Sequence, residues 1–96
     1  MIKEKRLKEQ IKCREGFEVE ITGRGGTRVR KSDSFRSYIK IFKKRGARQN
    51  WTVQKWKEQR FNHYYPGFEV KVLDGDGKKV PGMMKLRNLR DSYYAK

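Results

Sequence analysis

The chain holds one cysteine, Cys13, so no disulfide can form within it. A lone thiol suits a reducing compartment, and the expected location is cytoplasmic. Cys13 itself is expected to be small and partly buried, because only neighbouring basic residues mark it as reactive. Histidine is equally scarce: His63 stands alone, and His, Cys and carboxylates nowhere fall at metal-ligand spacing. The expectation is therefore no metal and no cofactor. Asp74-Gly-Asp-Gly77 holds a fragment of a calcium loop but lacks its later ligands. A tight hairpin turn accounts for it. No apolar run approaches the roughly 20 residues that span a bilayer. Met1 to Arg14 is charged almost throughout, which predicts neither a signal peptide nor an anchor. Ile2, Leu7 and Ile11 are too few for a strongly inserting surface helix, so no membrane partner is expected.

Positive charge dominates what remains. Lys and Arg number 26 against 11 Asp and Glu, a formal net charge of +15 on 96 residues. Such a body repels itself and favours a polyanionic partner. Only 34% of residues are apolar, but 12% are aromatic, which a disordered basic tail would not carry. The core must be small and built largely from Phe, Trp and Tyr.

Periodicity predicts the elements. Glu4 to Glu15 reads as a helix with Leu7 and Ile11 on one face, stopped by Gly16. Phe17 to Thr22 alternates as a strand with Phe17, Val19 and Ile21 inward. Gly23 to Gly26 is a turn, and Thr27 to Lys31 is expected to return as the second strand of a hairpin. Ser32, Asp33 and Ser34 are candidate N-caps. Phe35, Tyr38, Ile39 and Phe42 fall at helical spacing, with Gly46 as the stop. In the second half, Thr52 caps a helix carrying Val53, Trp56, Phe61 and Tyr64. Phe68 to Leu73 alternates as a strand, Asp74 to Gly77 turns, and Lys78 to Pro81 is a short edge strand. Met84 to Ala95 closes as a helix.

The two halves share letters. Gly16-Phe-Glu-Val19 recurs as Gly67-Phe-Glu-Val70. At the same spacing Ile21 matches Val72, Gly26 matches Gly77, and Phe35, Tyr38 and Phe42 match Leu86, Leu89 and Tyr93. The fold class predicted is α+β. It is a small basic domain made of a tandem pair of α-β-β-α units, 1–46 and 47–96, around a short antiparallel sheet. A lone two-stranded hairpin is too weak to stand by itself, so the units should share one compact domain.

Both halves are basic, but one region stands out. Arg24, Arg28, Arg30 and Lys31 lie on or beside the Gly-rich turn. Lys40, Lys43, Lys44, Arg45 and Arg48 crowd the end of the second helix, with Asp33 as the only acid in the region. Turn glycines let phosphates approach the backbone, and guanidinium groups grip them bidentately. The region Ala47 to Phe61, with the short turn Arg45 to Asn50 between two helices, resembles a helix-turn-helix whose second helix, beginning at Trp51, presents Gln54, Lys55, Glu58 and Gln59. Trp51 and Trp56 are both expected in the core. His63 with its tyrosines could serve as an acid or base on an RNA phosphate, but a helix-terminus role is the simpler reading. No nucleophile motif or carboxylate pair appears, so no enzymatic activity is expected.

Two functions follow from different classes. The first is a non-enzymatic DNA- or RNA-binding protein that grips phosphates through the basic hairpin and helix ends, with Arg24 or Arg28 reaching base edges. The alternative is a small basic inhibitor or adaptor that docks on an acidic protein surface or a nucleic-acid-handling complex.

Overall fold

A computed structural model describes residues 1–94. Helix α1, Glu4–Glu15, forms as the pattern predicts, burying Leu7 and Ile11. Gly16 ends it in the left-handed region, and its N–H closes on the Lys12 carbonyl at 2.8 Å. The chain then enters β1, Glu18–Gly23, whose Val19 and Ile21 face inward.

The partner of β1 differs from the expectation. Thr27 to Lys31 forms no strand. Gly25 and Gly26 take positive φ and carry the chain out of line after a single bond, Gly23 N–H to the Thr27 carbonyl at 2.6 Å. Only Val29 in this segment is buried, so a strand here would gain little apolar contact. β1 pairs instead with β2, Phe68–Leu73, from the other half of the chain. The antiparallel register is symmetrical: Val19 faces Val72, Ile21 faces Val70, and Glu20 faces Lys71 between them. Inward Val19, Ile21, Val70 and Val72 make the sheet's contribution to the core. Lys78 to Pro81 is likewise no full strand; a single bridge joins Lys79 to Leu73.

The second predicted helix shrinks to one turn, α2, Tyr38–Ile41. Phe35 cannot join it because it is extended and exchanges both backbone bonds with Ile2, at 2.8 and 2.7 Å. The candidate caps are not used either. Asp33 accepts the Arg30 N–H in a tight turn, while the buried Gln10 side chain accepts the Tyr38 N–H at 2.9 Å and so caps α2 from across the core. With a single helical turn in place of a long first helix, the helix-turn-helix arrangement is absent. The apolar positions still point inward: Phe35 and Tyr38 are buried, and Ile39 and Phe42 half-buried.

Helix α3, Val53–Trp56, is capped by Thr52, whose Oγ1 accepts the Lys55 N–H at 3.1 Å. It continues as a π turn over Lys57–Phe61, closed by the Asn62 N–H on the Lys57 carbonyl at 2.7 Å. α4, Leu86–Asp91, starts later than predicted because Lys85 bridges to Thr52. Ala95, the predicted end of that helix, lies outside the described residues. Tyr93 ties the sheet end by accepting the Glu18 N–H at 2.8 Å and donating to the Leu73 carbonyl.

The result is a compact α+β body with a radius of gyration of 12.7 Å, close to the roughly 13 Å of a folded chain this long. Its core is aromatic, as the composition requires. Phe17 meets Trp56 edge-on at 5.0 Å, and Phe61 lies between Trp56 and Tyr65. Among the described residues, no helix is long and apolar enough to cross a membrane.

Candidate nucleic-acid interface

One acid is taken out of play by the fold. Glu15, the last residue of α1, is fully buried. Its Oε1 accepts the Ala47 N–H at 2.7 Å and Arg90 Nη2 at 3.0 Å. Its Oε2 accepts Arg60 Nη1 at 2.7 Å and the Tyr38 hydroxyl. Trp56 Nε1 donates to that same hydroxyl at 3.0 Å. Burial first, then the charge of Glu15, pushes Tyr38 well above the usual tyrosine range. Gly46 makes the approach possible, since a Cβ there would lie 2.6 Å from the Arg14 carbonyl and 2.9 Å from Glu15 Oε1. Gly46 thus serves close backbone packing, where the sequence suggested a helix stop.

Arg90 spends its whole fork inward, on the Glu15 carboxylate and carbonyl, the Ala47 carbonyl and Gln49. Arg60 is held between Glu15 and the Arg45 carbonyl. These two cations therefore act as ties within the protein. Sequence reasoning did not single out Glu15, yet a signal exists: a carboxylate at a helix C-terminus opposes the helix dipole and implies a cationic partner elsewhere.

The cations singled out in the sequence face solvent. Arg24, Arg28, Arg30, Lys31, Lys40, Lys43, Lys44, Arg45, Arg48 and Lys55 are all exposed. Arg30 and Lys31 line a shallow groove with Lys3 and Lys5, floored by Val29 and sharing Glu4 and Asp33. Lys43, Lys44 and Arg45 follow Phe42 directly, and Arg45 adjoins Arg60 through its carbonyl. Arg24 and Arg28 project from the irregular loop after β1 rather than from a hairpin strand.

Half-buried aromatic rings lie among these charges. The Arg60 guanidinium carbon sits 4.2 Å above the Phe42 ring and 5.9 Å from that of Trp51. The Lys55 ammonium lies over Trp51 at 4.9 Å. Phe42 meets Tyr64 edge-on at 5.3 Å, and Arg36 lies over Tyr64 at 5.8 Å. The tryptophan expectation therefore splits: Trp56 is core, and Trp51 is partly exposed among cations. His63 stands edge-on to Tyr64 at 4.8 Å. Cys13, expected to be partly buried, is exposed, because Leu7, Gln10, Ile11 and Glu15 occupy the inner face of α1.

Four acids share one groove, while Glu58, Asp76 and Asp91 are exposed outside it. Glu4, Glu9, Glu18 and Glu20 line an open groove between α1 and β1, interleaved with Lys5, Lys8 and Lys12. Glu69 stands on the exposed side of β2. By contrast, Ser34 to Lys57 contains no Asp or Glu at all.

No protein-family model, curated protein or solved structure matches this chain. Its charges separate into a mixed-charge groove between α1 and β1 and an acid-free stretch, Ser34 to Lys57, around α2 and the start of α3. No Asp or Glu lies within that stretch, and the exposed Glu58 follows it directly.

Proposed function

We propose that this chain is a non-enzymatic nucleic-acid-binding protein that holds phosphates with the surface built from Ser34 to Lys57, aided by the loop bearing Arg24, Arg28, Arg30 and Lys31. One observation carries the proposal. The acid-free stretch leaves Lys40, Lys43, Lys44, Arg45, Arg48 and Lys55 exposed, while the buried carboxylate of Glu15 is occupied by Arg60 and Arg90. An unbalanced cationic surface of this kind is the electrostatic footprint of a polyanion ligand. Guanidinium and ammonium groups on it would supply the phosphate contacts that set affinity and register.

The same proposal treats 1–46 and 47–96 as two related lobes. Supporting this, Glu20 and Lys71 occupy matched positions of the shared motif and face each other in the antiparallel pair, as two lobes related by a two-fold would require. Each lobe also has an antiparallel bridge between the segments that lead into its two helices, Ile2–Phe35 in the first and Thr52–Lys85 in the second.

The test compares two variants of equal net charge. Lys43→Glu, Lys44→Glu and Arg45→Glu combined should weaken binding to labelled duplex DNA, single-stranded DNA and structured RNA by well over tenfold. Lys5→Glu, Lys8→Glu and Lys12→Glu combined make the same charge change on the mixed side and should cost much less. Equal losses would mean that only total charge matters and that no face is dedicated to binding. Negligible affinity of the unmodified protein for all three ligands would point instead to docking on a protein.

A further inference from the structure

We infer that the ligand of this surface is a nucleic-acid single strand, whose unpaired bases stack on Trp51 and Tyr64 while its phosphates meet the neighbouring cations. The inference rests on the phosphate-binding proposal above and names the form of nucleic acid it takes.

A duplex presents phosphates but hides the faces of its bases. Phosphate binding alone needs only cations, and aromatic rings add nothing to it. Here the two are interleaved. Lys55 and Arg60 flank Trp51, Arg60 covers Phe42, Phe42 touches Tyr64, and Arg36 lies over Tyr64. Alternating π faces and positive charges match a strand that offers flat bases and phosphates in turn. An acidic protein surface would satisfy the charges but leave the rings unused.

The backbone of Trp51 and the Arg60 guanidinium beside its ring are also tied down within the protein. The Trp51 N–H is bound to the Arg48 carbonyl at 3.1 Å, and its carbonyl accepts the Leu86 N–H at 2.8 Å. Arg60 is fixed by Glu15 and the Arg45 carbonyl, so the cation between Phe42 and Trp51 does not wander. Rings held in place lose little conformational entropy on binding. The π turn of α3 contributes by letting consecutive residues Arg60 and Phe61 both turn inward, one to Glu15 and one to the core. Trp51 stands at the edge of the core, half-buried, with Lys55 and Arg60 beside its ring.

Two measurements test the inference. In the unmodified protein, tryptophan emission comes from Trp51 and the fully buried Trp56 alone. Titration with an oligo-deoxythymidine or oligo-uridine strand should quench it, and a duplex of equal length should barely change it. In anisotropy titrations at fixed salt, Trp51→Leu and Tyr64→Leu should each weaken single-strand binding about tenfold or more, and leave duplex binding unchanged. Trp51→Phe should restore most of the loss. If Trp51→Leu lowers single-strand and duplex affinity equally, or lowers neither while binding remains salt-dependent, the stacking inference fails and the phosphate proposal stands. If no strand or duplex binds in a salt-dependent way, both fail.

Discussion

Glu15 is a residue on which all four helices converge. It links the end of α1 to α2 through Tyr38, to α3 through Arg60, and to α4 through Arg90. Removing one member of such a buried set strands the others without counter-charge, at a cost of about 3–5 kcal/mol. That is comparable to the whole stability of a small domain. Glu15→Ala should therefore leave the protein largely unfolded in a urea titration, and Glu15→Gln should cost less because an acceptor oxygen remains. A wild-type midpoint for Glu15→Ala would show that the two arginines need no partner. Tyr65 supplies a pH test. Burial pushes its hydroxyl up to about 12 from the ordinary 10, against the opposing charge of Arg36. Over that range the folded state keeps a proton that the unfolded chain releases, so stability is full below pH 10 and is lost as the pH climbs towards 12. Tyr38, shifted in the same direction, adds to the loss. Thermal melts across pH 9–12 should fall less steeply for Tyr65→Phe than for the unmodified protein; parallel curves would remove Tyr65 from the account.

At the scale of elements, the sequence discloses faces better than partners. Strict alternation marks Val19, Ile21, Val70 and Val72 as inward, and all four are buried. It carries no information on which strand pairs with which, and β1 joins β2 across the chain in place of its own expected hairpin. The helical spacing of Phe35, Tyr38 and Phe42 likewise finds the core but not the helix. The Ile2 bridge holds Phe35 extended, a long-range contact that local periodicity cannot register. α1 is read correctly because its pattern, its stop glycine and its tertiary surroundings agree. The matched phenylalanines separate for a similar reason. Phe17 is fully buried against Trp56, whereas Phe68 at the same motif position is only half-buried against Phe35. Phe17→Ala should cost about 3–5 kcal/mol. Phe68→Ala should cost clearly less, by chemical denaturation of both variants. Equal costs would mean that Phe68 contributes as much packing as a residue at the centre of the core.

At the scale of the whole molecule, the candidate surface was legible in part. Its cations stand out in the sequence because Asp and Glu are missing among them. The aromatic half of the surface was not legible, because a tryptophan in a chain this poor in aliphatics reads as core. Only the three-dimensional placement of Trp51, Phe42 and Tyr64 beside Arg60, Lys55 and Arg36 separates these half-buried rings from the fully buried core. The net charge of +15 also sets the dominant free-energy source for any polyanion complex, the release of condensed counterions. The most direct test of the central claim is therefore a salt titration of affinity for a labelled nucleic acid. The logarithm of the association constant should fall linearly with the logarithm of salt concentration. Its slope should be about −0.9 per phosphate neutralised on duplex DNA and about −0.7 on a single strand. The combined Lys43→Glu, Lys44→Glu and Arg45→Glu variant should give a visibly shallower line. An affinity that stays flat as salt rises would contradict the account of this protein as a phosphate-gripping nucleic-acid binder.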